Sequence, residues 1–344
     1  MEKKYIAQWS CPSNIALVKY WGKLPNQIPM NPSLSLTLKN SVTTTTVSAQ
    51  NLNAPFELNY LFHGEHNAAF SKRIQSVLET WQEHFPFLKN GQWRIESENS
   101  FPHSAGIASS ASAMGALALS LCSIEHEILG TLNTSESFQR KASYLARLAS
   151  GSAARSIYPG IVSWGTSELV ENSSDEYATP LSIDVHPSVL HLNDAILIVD
   201  DQPKKVSSSA GHQLMNNHPY RNNRIEQANN NHKSIIECLT SGDFQQFSTI
   251  VENEAMSIHS LMMSSTPWYS LLHANTFEII NRIQYFRAQN NIPVCFTLDA
   301  GPNVHVIYPP NVKQQVESFI QTELKPFFKK YQPDEMGNGP EQLK

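Results

Sequence analysis

Apolar and polar positions alternate early in the chain. Leu34, Leu36 and Leu38 interleave with Ser33, Ser35 and Thr37, the period of a strand with one buried face. Lys39-Asn40-Ser41 has turn chemistry, and the β-branched run 42–47 continues the strand pattern beyond it. The period then changes. Phe70, Ile74, Val77, Leu78, Trp81 and Phe85 fall three and four apart, which predicts a helix over 68–85. A short strand is expected at 93–96, and the loop 99–106 feeds a small-residue helix from Ser109. Phe138, Ala142, Leu145 and Leu148 mark a helix over 135–150. The loop 151–160 leads into an apolar run at 161–164, and 172–180 is polar and expected to be exposed. A buried-type strand at 195–199 precedes helices near 222–239, 244–256 and 271–288. Strands at 294–298 and 304–308 and a helix over 313–324 complete the pattern. From Gln332, two prolines and two glycines predict a loose tail.

Mixed strands and helices give an α+β class. At about 150 residues per domain, 344 residues divide into two lobes. Pro187-Ser188 is the natural seam: 1–187 forms an N-terminal lobe, 188–330 a C-terminal lobe and 331–344 the tail. With 40% hydrophobic and 16% charged residues, the chain is not collagen, coiled coil or disordered. Its net charge of −5 argues against a nucleic-acid partner. The longest apolar stretch, near 111–124, falls short of the roughly 20 residues a membrane helix needs. Cys11, Cys122, Cys238 and Cys295 form no paired motif, and Met1–Tyr5 lacks the apolar core of a signal peptide. A cytoplasmic location is therefore expected. The 13 histidines show no His-Glu-x-x-His spacing, so a catalytic zinc is not expected.

Several segments could carry chemistry. In 102–112, His103 and Gly106 precede Ala108, Ser109, Ser110 and Ser112 at the start of the small-residue helix. Small residues let backbone N–H groups approach a phosphate, and the helix N-terminus adds partial positive charge. The same pattern also describes an ordinary serine-rich cap. In 12–23, Lys19, Tyr20 and Lys23 could surround a multiply charged oxyanion with Asn14 upstream; a packed strand with exposed lysines has the same pattern. Arg155, in the small-residue turn 151–156, could grip a carboxylate bidentately or make a surface ion pair. Asp299 ends an apolar strand before Gly301-Pro302, where it could project into a cleft or cap the turn. Lys204-Lys205 and Ser207–Ser209 read as a flap over an anion or as a solvated loop.

In this order the segments resemble the diphosphomevalonate decarboxylase family of the GHMP kinase superfamily. The likeness is carried by Ser13-Asn14-Ile15-Ala16, Lys19-Tyr20-Trp21-Gly22-Lys23, the run 31–38, the run 101–112, Gly151–Ser156, Val206-Ser207-Ser208 and Asp299-Ala300-Gly301-Pro302-Asn303. It spans about 7–308. The Lys19–Lys23 and Asp299–Asn303 segments are specific to the family, whereas the serine-rich loop indicates only the superfamily.

The resemblance implies a two-lobe GHMP kinase fold, its N-terminal lobe like domain 2 of ribosomal protein S5, with the active site in the cleft. The implied reaction converts mevalonate 5-diphosphate to isopentenyl diphosphate at the expense of ATP, with Mg2+. By the match, Asp299 sits at the 3-hydroxyl, Arg155 and Asn14 hold the carboxylate, and Lys19 lies beside the transferring phosphoryl group. Tyr20, Lys23, Ser156, Ser208 and Ser209 fall to the substrate, and Gly106, Ala108, Ser109, Ser110 and Ser112 to ATP, with Ser110 near the metal. A homodimer is also implied. Four positions depart from the family pattern: Pro32-Ser33 for two serines, His103 for a small residue, Ala154 for cysteine, and Ser209 where some bacterial relatives carry arginine and others threonine. Lys204 and Lys205 are near enough in sequence to compensate at the flap. A mevalonate 5-phosphate decarboxylase and a 3-kinase of the same superfamily are the rival readings, since they share most of these motifs.

Overall fold

The computed structural model describes residues 3–102, 107–202 and 206–344. β1 (Tyr5–Val18) pairs antiparallel with the long β2 (Ser33–Pro55) along nearly its whole length. β3 (Glu57–Phe62), α1 (Ala68–Trp81) and β4 (Asn90–Asn99) form a crossover unit, so β3 and β4 pair parallel. Asn67 caps α1 by accepting the Phe70 N–H at 3.0 Å. Two long helices follow, α2 (Ser109–Leu129) and α3 (Ser135–Ala149), then β5 (Ile161–Trp164) and β6 (Ala178–Pro180). The sheet runs β3-β4-β2-β1 and forks at β2: its outer half pairs with β4, its inner half with β5.

The second lobe contains β7 (Asn193–Ile198), the short α4 (Ser208–Leu214), α5 (Arg221–Ser241), α6 (Phe244–Met263) and α7 (Ala274–Asn290). β8 (Cys295–Leu298), β9 (Val304–Tyr308), α8 (Lys313–Phe319) and β10 (Lys330–Glu335) complete it. Its antiparallel sheet has the order β10-β7-β9-β8. Ala195 and Leu197 face the cluster that contains α7 and α8, whereas Ile196 and Ile198 face α5 and α6. Burial on both faces explains why β7 reads as a continuous apolar run.

Burial along β2 marks where the lobes meet. Thr43, Thr45, Val47 and Ala49 are buried while their neighbours are half-exposed, the alternation of a one-faced sheet. In the inner half every residue from Ser33 to Leu38 is buried, because Leu34, Leu36 and Leu38 pack into one cluster with Ile235, Leu239, Phe247 and Val251 of α5 and α6. The two lobes thus share a core.

Two expectations are corrected. Lys39-Asn40-Ser41 makes no turn. Pairing shifts from Pro12↔Val42 to Asn14↔Thr37, so residues 38–41 bulge opposite Ser13. The N–H groups of Lys39, Asn40 and Ser41 donate to the Asp334 carboxylate at 2.9, 2.8 and 2.9 Å. The tail is not loose either. β10 pairs with β7, Met336 bridges to Leu38, and β11 (Glu341–Gln342) adds to the free edge of β1. Its glycines serve close packing: a Cβ on Gly337 would lie 2.4 Å from the Leu38 carbonyl oxygen.

Smaller differences follow the same physics. α1 stops at Trp81, α6 runs on to Met263, and the last helix widens to a π-type turn over Ile320–Leu324. The run 172–180 is not wholly exposed, since Ala178 is buried in β6. The four cysteines are buried free thiols. No described helix is long and apolar enough to cross a membrane.

Candidate active site

Lys19 and Asp299 each stand one residue beyond a strand end, Lys19 after β1 and Asp299 after β8. Lys19 Nζ donates to Asp299 Oδ1 at 3.2 Å, joining the lobes at the head of the cleft. Where β1 ends, side chains take over from the strand ladder. The Lys19 N–H donates to Glu254 Oε2 at 2.7 Å, and the Lys19 carbonyl accepts from Asn31 Nδ2 at 3.0 Å and Arg224 Nη2 at 3.1 Å. Glu254 is in turn held by both Arg224 Nη atoms, at 2.7 and 2.6 Å, and by Asn231 at 2.7 Å. Burial alone would raise the Glu254 carboxyl, but Arg224, the Lys19 N–H and Asn231 hold it below the usual range. Burial lowers the Lys19 ammonium and Arg155 pushes the same way, against the pull of Asp299 and Glu254.

Asp299 is set by its own motif. Its carbonyl accepts from Gly301 N–H at 2.7 Å and bonds a ring nitrogen of His259 at 3.0 Å. Asn303 Oδ1 receives the N–H groups of Val199 and Asp200 at 2.8 and 3.0 Å, and the Pro302 carbonyl accepts from Thr276 at 2.7 Å. The turn is thereby tied to the neighbouring strand and to α7.

Beside this pair lies a second buried group. Arg155, on the 3-10 turn Gly151–Ile157, donates through Nε to Ser35 Oγ at 3.0 Å and Asn14 Oδ1 at 3.3 Å, and through Nη1 to Ser33 Oγ at 2.5 Å. Burial lowers its guanidinium to about 10, which leaves it charged at neutral pH. Asn14 Nδ2 donates to Ser156 Oγ at 2.8 Å and the Ser152 carbonyl at 3.1 Å. Gly151 is required here, since a Cβ would lie 2.8 Å from Tyr20 Oη.

These residues open onto one cavity of about 290 Å³. Its described lining includes Asn14, Lys19, Tyr20, Lys23, Ala108, Ser110, Arg155, Ser208, Ser209 and Asp299 from the sequence expectations. Cationic side chains (Lys19, Lys23, Arg73 and Arg155) outnumber the carboxylate of Asp299 among the described lining residues, so a locally positive cleft sits in an acidic chain. The N-terminus of α2 opens into it, with Ala108 left-handed at φ 41° and Ser110 Oγ 3.1 Å from Ser150 Oγ. The Tyr20 hydroxyl is buried with no hydrogen-bond partner among the described residues.

Not every expected residue reaches the cavity. Ser112 is buried, its hydroxyl 2.6 Å from Thr43 Oγ1 and donating to the Ser109 carbonyl at 3.2 Å, so it braces α2 on the sheet. Ser156 stands behind Asn14 as its hydrogen-bond partner, and neither it nor Ser109 is among the described lining residues. Gly106, His103, Lys204 and Lys205 lie outside the described residues. Sequence reasoning missed Arg73, Gln27, Ser150 and His212 in the lining, and Glu254, Arg224 and Asn31 behind Lys19. Glu254 left a signal, a carboxylate at a three-to-four-residue step in the apolar stripe Phe247, Val251, Ile258. Arg73 left none.

Two lobes sharing a core, a long helix opening its N-terminus into the cleft, and a lysine–carboxylate pair across it define a phosphoryl-transfer enzyme of the GHMP kinase fold. Residues 11–178 match the diphosphomevalonate decarboxylase-like N-terminal domain, and residues 195–342 the mevalonate 5-diphosphate decarboxylase C-terminal domain. The chain belongs to the diphosphomevalonate decarboxylase family. It is 31% identical to the diphosphomevalonate decarboxylase of Ganoderma lucidum, covering 94% of this chain and 82% of the relative. With that of Saccharomyces cerevisiae it is 30% identical over 92% and 81%. A mevalonate diphosphate decarboxylase structure from Staphylococcus aureus superimposes with a TM-score of 0.85 at 26% identity, over 99% of both chains. A structure described as MDDEF in complex with MVAPP, AMPPCP and magnesium superimposes with a TM-score of 0.84 at 28% identity, over 99% of this chain and 100% of that one.

Proposed function

We infer that the chain catalyses the ATP-dependent decarboxylation of mevalonate 5-diphosphate to isopentenyl diphosphate, releasing ADP, phosphate and CO2 in isoprenoid biosynthesis. The observation that carries the residue roles is the 3.2 Å contact of Lys19 with Asp299 across the lobes, with Arg155 and Asn14 beside it. In the first step the 3-hydroxyl oxygen bonds to the γ-phosphorus of ATP, the bond to ADP breaks, and Asp299 accepts the hydroxyl proton. Lys19 pairs with Asp299 beforehand and offsets charge on the phosphoryl oxygens during transfer. In the second step the C3–O bond breaks and phosphate leaves. The electron pair of the C1–C2 bond then becomes the C2=C3 double bond as CO2 departs. Arg155, rigid in its serine and asparagine cradle, fixes the carboxylate so that this bond is aligned.

Tyr20, Lys23, Ser208 and Ser209 suit the 5-diphosphate, and the α2 N-terminus with Ala108 and Ser110 suits the ATP phosphates. The hydroxyls of Ser110 and Ser150 are hard oxygen donors fitted to Mg2+ carried on a nucleotide, and the ion supplies charge neutralisation on the phosphates.

The test is to incubate the purified protein with ATP, Mg2+ and either mevalonate 5-diphosphate or mevalonate 5-phosphate, following ADP, CO2 and product by mass. Equal amounts of ADP, CO2 and isopentenyl diphosphate from the diphosphate are expected. Isopentenyl phosphate from the monophosphate would reassign the substrate, and ADP without CO2 would make the protein a kinase.

A further inference from the structure

His212 lies on α4, one helical turn beyond Ser208 on the same face, and lines the cavity while only 8% exposed. Its surroundings account for most of the ring. Tyr20 packs at 4.4 Å and Trp21 at 4.7 Å between ring centroids. Nδ1 accepts the Gly22 N–H at 3.0 Å, so the proton of the neutral ring is on Nε2. With Nδ1 engaged and aromatic rings packed at 4.4 and 4.7 Å, the edge bearing Nε2–H is left for the cavity. The segment carrying the ring is packed closely: at Gly211 a Cβ would lie 2.4 Å from Tyr269 Oη and 2.8 Å from Trp21.

We propose that His212 is a specificity residue for the substrate's diphosphate, donating a hydrogen bond from Nε2 to a phosphate oxygen beside Lys23 and Ser208. The proposal deepens the function inferred above and rests on it. Burial, with the charge of Lys23, takes the imidazole down to about 3, so it meets the anion as a neutral donor. A neutral donor adds direction rather than charge: Lys23 attracts any anion, whereas a fixed N–H selects one that reaches this wall of the cleft.

Asparagine and glutamine separate the two ring nitrogens. In His212→Asn the side-chain oxygen can still accept from Gly22 but no donor reaches the cavity; in His212→Gln the amide N–H stands near the original Nε2. His212→Asn is expected to raise KM for mevalonate 5-diphosphate at least about tenfold, with kcat and KM for ATP within about twofold, and His212→Gln to recover most of the loss. In wild-type protein labelled with 15N-histidine, long-range 1H–15N spectra should show an Nε2–H tautomer whose proton shifts downfield with mevalonate 5-diphosphate and not with mevalonate. An unchanged KM in His212→Asn, parallel loss of kcat and both KM values, or an Nδ1–H tautomer would overturn the proposal. If the variants fail to fold, the wild-type spectra decide it alone. Wild-type protein that makes no product would instead overturn the inferred function, so the two failures are distinct.

Discussion

Two ion pairs meet at Lys19 and are built oppositely. Arg224–Glu254 is almost wholly buried, at 1% and 0% side-chain exposure, and Glu254 collects four donor contacts. Lys19–Asp299 is asymmetric: the lysine is 2% exposed, but 26% of the Asp299 side chain remains open to the cavity. The first pair is closed to solvent and positions a backbone. The second keeps a carboxylate accessible for a substrate. Charge alone does not separate a structural pair from a chemical one; the exposure of one partner at the cavity does.

The comparison can be broken at either pair. Asp299→Asn should lower kcat on the order of 10³-fold, the usual worth of a positioned base, while thermal melting and nucleotide binding stay near wild type. Turnover within tenfold of wild type would remove Asp299 from its role. Glu254→Gln should act the other way, costing about 3 kcal/mol in urea unfolding because Arg224 is left as an uncompensated buried cation. If its main effect were on kcat with stability unchanged, the distinction drawn above would fail.

A third titratable group tests the interface in between. His232 of α5 sits 3.0 Å through Nε2 from Ser163 Oγ of β5, bridging the lobes, and burial lowers it to about 4. Below pH 6.5 the unfolded histidine takes up a proton that the folded one refuses until about pH 4. Stability should therefore fall as pH drops through that window, by roughly 3 kcal/mol from this group, and be flat outside it. His232→Gln should flatten that part of the stability–pH profile, and an unaltered slope would assign it elsewhere. The smallest effect is expected at Ser112→Ala: about 1 kcal/mol of stability from the lost Thr43 contact, with KM for ATP within twofold. A large rise in KM for ATP would return Ser112 to the nucleotide.

Much of the site was legible because its residues stand where local signals end. Lys19 and Asp299 each close an apolar strand, and Arg155 lies in a turn of small residues. The order of these segments carried the family and with it the fold. What was not legible depends on partners remote in the chain. Lys39-Asn40-Ser41 has turn chemistry, but Asp334, 294 residues from Asn40, straightens it into a bulge. The tail has the composition of a loose end, yet its pairing is set by the open edges of β1 and β7. α4 is too short to show a period, so His212 gave no sign of facing the cleft. Serines at a helix start look alike in sequence, and only packing shows Ser110 at the cavity and Ser112 turned into the sheet.

The strap formed by β10 and β11 has a consequence for how the chain folds. It pairs Trp9 with Gln342 in the first sheet and Lys330 with Ile198 in the second, making both sheets depend on contacts remote in sequence. Such contacts close long loops, and their entropy must be met before they contribute any stability, so high contact order slows their formation. Until residues 341–342 dock, β1 presents open N–H and C=O groups around Trp9 and Ser10, the kind of edge on which strands of different molecules join. The strap that links the lobes through Asp334 and Met336 thus ends by covering part of an edge on which separate molecules could otherwise join.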